Sequence, residues 1–423
     1  MARTFTTLLF VACMLASSAL AQTEIVYWTH EDVNRTELET RLIAEFELDN
    51  PGITVRRVTH PSANLAQLLL TAFAAGRGPD VFNDTIANQY PYIVNERVAP
   101  VDPAAVGAAS LDEVYARYLD GTLDPVTFGG NLYGLPLEVT NWVIFINKNV
   151  FEDVGLDAEV DYPKTWEEMM EISEQLVIRD GEILQRRGFD FRYPWYLEWL
   201  VPMVEQLGGE LVSADGEAIV NDEAWLRVLS YMREWGPHGR NLGSPTYRNA
   251  RALFNFDNND IAMTHTGQYQ IARIQADNPE FYDSGQLLIV PFPRWEDAVN
   301  DQGAAYYGHY FMVNAQSNAE TQLAAWQLIG YFAEHAEEYF ATSALVQPTH
   351  ELLASPAYRD HPFSEVFAAD MATARSVYYG DNSPRIQQLL KDAVEAVMLQ
   401  NREPADVLPT LREGVSRALR GDF

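Results

Sequence analysis

Residues 24–83 alternate strand-like apolar runs with amphipathic helical stretches, and this alternation restricts the fold more than any other feature of the chain. Residues 24–28 suit a buried strand. In residues 37–48, Leu38, Leu42, Ile43 and Phe46 recur on one helical face before Asn50-Pro51-Gly52 stops the helix. Residues 53–58 read as a second strand and 63–75 as a second amphipathic helix, ended by Gly76-Arg77-Gly78-Pro79, after which 80–83 begin a third strand. Strands separated by a helix are joined by crossovers, so βαβ units and a parallel sheet are expected. A dinucleotide fold would place G-x-G-x-x-G directly after the first strand. Trp28-Thr29-His30-Glu31-Asp32 contains no glycine, which argues against nucleotide binding.

The chain has 423 residues, more than one hydrophobic core usually serves, and two domains are expected. Residues 1–21 carry Arg3, an apolar run over 8–15 and Ala19-Leu20-Ala21 before Gln22, the pattern of a cleaved secretory signal too short to span a bilayer. Cys13, the only cysteine, lies inside that run, so a mature chain has neither disulfides nor thiolate metal sites. Phe10-Val11-Ala12-Cys13 is a weak match to a lipoprotein processing box, because the apolar run before it is very short. A formal charge of −31 argues against nucleic acid or an anionic membrane surface as a partner, and reads as an acidic, solvated exterior.

Residues 128–151 form a strand, a tight Gly-Pro turn and a second strand ending in Asn147-Lys148. Helical spacing returns over 165–178, 195–207, 223–235, 319–334 and 384–419. Gly130-Asn131-Leu132-Tyr133-Gly134-Leu135-Pro136, Ile144-Phe145-Ile146-Asn147-Lys148 and Pro163-Lys164-Thr165-Trp166-Glu167-Glu168 resemble segments of the sugar-binding branch of the extracellular solute-binding proteins that serve ATP-driven importers, the maltose-binding-protein-like family. Gly208-Gly209-Glu210-Leu211, residues 260–266 and residues 303–314 extend the likeness over nearly all of 24–420.

The resemblance implies a type II periplasmic binding protein: two α/β lobes joined by three crossings near 139, 264 and 312, with a ligand cleft between them. It implies an N-terminal lobe of 22–138 plus 264–312 and a C-terminal lobe of 139–263 plus 313–423, the latter partly returning to pack on the first. It further implies an exported periplasmic monomer that binds carbohydrate, hands it to a membrane permease, and uses no cofactor or metal.

A sugar site needs flat aromatic rings for C–H faces and charged or amide groups for hydroxyl edges. His30 and Glu31 follow the first parallel strand at the carboxyl end where such sheets bind ligands, and ordinary loop polarity explains them equally well. Asp84 closes the third strand, as a hydroxyl acceptor or a helix cap. Past the first crossing, Glu138, Asn141 and Trp142 are expected at the cleft, with Trp142 equally suited to the core. By the resemblance, Trp195 and Tyr196 open a helix whose aromatics lie over sugar, while Trp199, one turn on, reads as core. Gly267 and Tyr269 follow the second crossing; Gly308, His309 and Tyr310 lie in the third, where His309 replaces a glycine and Tyr310 a tryptophan.

Three alternatives remain. A secreted glycoside hydrolase would need two carboxylates about 5–9 Å apart across the scissile bond, but no nucleophile elbow, zinc helix or phosphate loop accompanies the many acidic residues. A polyamine carrier would use the acidic and aromatic residues as a cation cage. Tyr306-Tyr307 and Tyr378-Tyr379 prompt a ferric-ion reading, which the sugar-type segments oppose.

Overall fold

A computed structural model describes residues 22–220, 223–246 and 260–422; the signal at 1–21 lies outside them. Ten strands build two five-stranded sheets. The first contains β1 (Thr23–His30), β2 (Ile53–His60), β3 (Val81–Thr85), β4 (Leu135–Thr140) and β10 (Tyr307–Val313). The second contains β5 (Val143–Asn147), β6 (Ile178–Asp180), β7 (Ile183–Asp190), β8 (Ile261–Thr266) and β9 (Leu287–Val290). Their orders are β2-β1-β3-β10-β4 and β6-β7-β8-β5-β9.

As the alternating pattern requires, β1 runs parallel to β2 and β3, with Tyr27 opposite both Arg57 and Val81. The fourth strand of each sheet is antiparallel to both neighbours and reaches its sheet from the other one. Thus β10 lies between β3 and β4, and β5 lies between β8 and β9. Each lobe is therefore completed by chain arriving from its partner.

The principal helices are α1 (Val33–Asp49), α2 (Ser62–Ala74), α3 (Trp166–Leu176), α4 (Tyr196–Gln206), α5 (Glu223–Trp235), α6 (Tyr269–Asp277), α7 (Ala319–Glu334), α8 (Ser383–Met398) and α9 (Pro404–Leu419). Asp32 caps α1 by accepting from the amides of Asn34 and Arg35, and Thr165 with Glu168 forms a reciprocal capping box on α3.

The sheets correct the expected lobe boundaries. Both β8 and β9 stay in the second sheet, whereas α6 between them contacts α1 and puts Tyr269 in the first core. The returning segment is 291–306, leading into β10. After β10, α7 packs on β1 and β10 in the first lobe; residues 364–371 then pack on β5, and α8 packs with α9 against α5. An apolar strand such as Ile261-Ala262-Met263 satisfies either sheet equally well; its hydrogen-bond partners, here β5 and β7, decide which. The first crossing is short: only Asn141 and Trp142 separate β4 from β5.

Separate cores hold the lobes. Trp166, Trp199, Trp225 and Trp235 are fully enclosed in the second, and Tyr27, Leu42, Phe311 and Trp326 in the first. Burying each such side chain contributes about 1.5–3 kcal/mol. The first core also encloses a charge pair. Arg35 Nη1 lies 3.2 Å from Glu39 Oε1, both side chains wholly shielded, while Arg57 Nε approaches Glu39 Oε2 at 2.6 Å. Arg35 Nη2 donates to the His30 carbonyl at 2.8 Å, anchoring the end of β1.

Removing one member of a buried pair strands the other in low dielectric. Glu39→Ala should therefore lower unfolding free energy by about 3–5 kcal/mol, read as an earlier urea midpoint at an unchanged slope.

Candidate functional site

A cavity of about 640 Å³ opens between the lobes, at the carboxyl ends of β1 and β3. From the first lobe, His30, Glu31, Asp32, Thr85, Asn88, Glu138 and His309 line it. Asn83 Nδ2 donates to Thr29 Oγ1 at 2.6 Å, which turns its Oδ1 toward His30 Nδ1 at 3.0 Å. His30 Nδ1 is then the donor, and Nε2 of the neutral ring is an acceptor. Burial, with His309 and Arg35 nearby, holds His30 well below the usual imidazole range. The two imidazoles stack at 4.3 Å between centroids, and His309 Nδ1 lies 2.9 Å from Glu138 Oε1. Glu138 Oε2 is buried without a partner.

The second lobe contributes Arg192, Trp195 and Glu198, α6 contributes Tyr269 and Arg273, and β10 adds Tyr307 beside His309. Arg192 lies 5.0 Å from the ring centre of Trp142, 5.3 Å from Trp195 and 5.6 Å from Tyr269, and donates to Thr266 Oγ1 at 2.6 Å. Arg273, over the Tyr269 ring at 4.8 Å, reaches Asp32 at 2.9 Å. Burial alone would raise the Asp32 carboxyl, but Arg273 and Arg35 outweigh it and hold it below its usual range. Glu198 is the reverse case: burial pushes it up to about 7, because its own backbone amide and Arg192 together offset too little of the desolvation.

Six of the residues singled out in the sequence line this cavity: His30, Glu31, Glu138, Trp195, Tyr269 and His309. The other seven do not. Asp84 is buried and accepts from Tyr92 Oη at 3.0 Å and Asn88 Nδ2 at 3.0 Å, so it positions Asn88. Asn141 and Trp142 are enclosed at the crossing, Trp142 forming the layer behind Arg192. Tyr196 packs on Trp199 in the second core, and Tyr310 in the first, donating to the Thr122 carbonyl. The two glycines serve close packing: a Cβ on Gly308 would sit 2.2 Å from the Glu138 carbonyl, and one on Gly267 2.5 Å from the Tyr269 ring.

Strand alternation accounts for part of this division, since Tyr307 and His309 face the cavity while Gly308 lies against β4. Tyr306, on the opposite side, donates to the Met371 carbonyl at 3.3 Å. The adjacent tyrosines therefore diverge instead of converging on a ferric ion. Among the described residues, no three His, Cys, Asp or Glu side chains gather as a metal site.

Sequence reasoning missed Asp32, Arg192, Glu198 and Arg273, and weighed Tyr307 only as a ferric ligand. Arg192 and Glu198 flank Trp195 at three-residue spacing, a signal that could have found them. Arg273 had none, because its role follows from where α6 packs.

Two α/β lobes around a cleft lined by rings, imidazoles and carboxylates define a solute-binding protein. The chain belongs to the bacterial extracellular solute-binding protein family, whose profile matches residues 41–364. An arabinooligosaccharide-binding protein of Halalkalibacterium halodurans is 20% identical over 90% of this chain and 82% of its own length. The sn-glycerol-3-phosphate-binding periplasmic protein of Escherichia coli is 21% identical over 96% and 94%.

Among solved structures, an ABC transporter solute-binding protein of Thermotoga lettingae bound with α-D-tagatose superposes with a TM-score of 0.80 at 18% identity, covering 94% of this chain and 100% of that one. The maltose/maltodextrin-binding domain of Bdellovibrio bacteriovorus bound to maltotriose gives 0.77 at 17%, covering 94% and 100%. At these identities the likeness establishes the fold. Among the described residues, no helix is long and apolar enough to cross a membrane.

The raised Glu198 carboxyl has a consequence for stability. Its folded value, about 7 against 4.5, means the folded protein binds this proton more tightly than the unfolded chain. The stabilisation is complete below about pH 4.5 and is lost as pH rises through about 7. Glu198→Gln should remove this loss. In urea titrations from pH 5 to 8, the variant should gain on the parent by about 2–3 kcal/mol.

Proposed function

We propose that this protein is an exported periplasmic carrier that captures a carbohydrate between its lobes and delivers it, unaltered, to the membrane permease of an ATP-driven importer. The observation carrying this reading is the cleft itself. Trp195, Tyr269 and Tyr307 offer ring surface, while His30, Glu138 and His309 offer hydrogen-bonding edges. Apolar C–H faces and hydroxyl rims of a sugar match that division. The names and bound sugars of the relatives support the same class of guest, and the signal pattern at 1–21 supports export.

A guest touching both walls binds the closed form more tightly than the open one, and that difference shifts the equilibrium toward closure. The protein acts as a monomer, since one chain supplies both walls, and its acidic surface keeps it from nucleic acid.

Thermal unfolding against sugars, polyols and polyamines tests the assignment, because a tight ligand raises the midpoint by mass action. A saccharide should give the largest rise and polyamines none; the reverse order would remove sugar as the cargo. Incubation with glycosides should release no reducing ends. Trp195→Ala should weaken saccharide binding by about 1–3 kcal/mol in calorimetry while leaving the fold intact.

A further inference from the structure

Glu138 and Glu198 come from opposite lobes, both line the cleft, and each residue is 3% exposed. Each holds one carboxylate oxygen, Oε2, that is buried and receives no hydrogen bond from the protein. The other Glu138 oxygen meets His309 Nδ1 at 2.9 Å. A buried acceptor left unpaired is costly, and a guest that brings the missing donor recovers that cost.

The cations nearby are already engaged. Arg273 is paired with Asp32 at 2.9 Å, and Arg192 is held by Thr266 and the faces of Trp142, Trp195 and Tyr269. His30 adds a further acceptor at Nε2 and Glu31 a further carboxylate, so four carboxylates and two arginines line the cavity. Burial pushes the Glu198 carboxyl up to about 7, and its own backbone amide and Arg192 offset only part of that.

We propose that Glu138 and Glu198 clasp the donors of a single guest from its two sides, and that this makes the cleft select uncharged, hydroxyl-rich saccharides over the same sugars bearing phosphate or carboxylate. An anionic substituent would bring further acceptors and negative charge to oxygens that need donors. The inference rests on the carbohydrate reading and adds to it. Family membership does not imply the exclusion, because one relative is named for a phosphorylated polyol.

The test is calorimetric titration of the purified protein at pH 7.5 with arabinose, arabinobiose, maltose, glucose 6-phosphate, glucuronate and spermidine. It is repeated on Glu138→Gln, Glu198→Gln and Glu198→Met, the last keeping side-chain length without an acceptor. An uncharged saccharide should bind at least a hundredfold more tightly than either anionic sugar. Each substitution should weaken it by about ten- to hundredfold. The gain in stability of Glu198→Gln above neutral pH shows independently that this variant is folded.

Tight binding of the phosphorylated or carboxylated sugar would overturn the donor rule while leaving the carbohydrate assignment in place. So would an uncharged sugar whose affinity ignores all three substitutions. Preference for spermidine, lost in the variants, would sink the carbohydrate assignment and keep the clasp. Binding of none of the six would overturn both.

Discussion

The whole molecule depends on a reciprocal exchange of strands. β10 reaches the first sheet from the second, and β5 the second from the first, each hydrogen-bonded on both edges. Neither sheet is complete without backbone delivered by its partner. The lobes therefore hold separate cores yet share their chain, with the short Asn141–Trp142 link and the longer 291–306 segment carrying it across. A cleft between independently packed bodies follows from that arrangement, and so does freedom for the bodies to rotate about few connections.

The cleft inherits its chemistry from strand ends. His30 closes β1 and is held there by Arg35 through its carbonyl, by Asn83 through its ring and by His309 through stacking. Those contacts spend the first lobe's hydrogen-bonding capacity on orienting side chains, leaving acceptors toward the guest. In the second lobe Arg192 organises Trp142, Trp195 and Tyr269 around a buried cation, so the aromatic wall is preset before any ligand arrives. A wall ordered in advance loses less entropy on binding.

Much of the fold was legible in the sequence because periodicity reports local structure directly. The βαβ start, the helix read over 165–178 and the interior role of Trp199 all lie in short segments whose residues meet their neighbours in sequence. Lobe boundaries were less legible: residues 261–266 look the same whichever sheet they join, and only pairing with Val143–Asn147 settles the matter. At the site, residues at strand ends, such as His30 and Glu138, reach the cavity because position along a strand sets direction. Tyr310 and Tyr196 were misplaced by one step of the strand or helix, enough to turn a ring from the cleft into a core. Arg273 was invisible, since its contact with Asp32 joins residues 241 apart in the chain.

The alternation along β10 divides labour between neighbours only one peptide apart. The side chains of Tyr307 and His309 reach the cavity, whereas Gly308 admits the Glu138 backbone and Tyr310 fills the first core. Cargo preference is thereby separable from architecture on a single strand. A lineage of such carriers can exchange the side chains at 307 and 309 for other guests while 308 and 310 keep the scaffold, so new diets need no new fold.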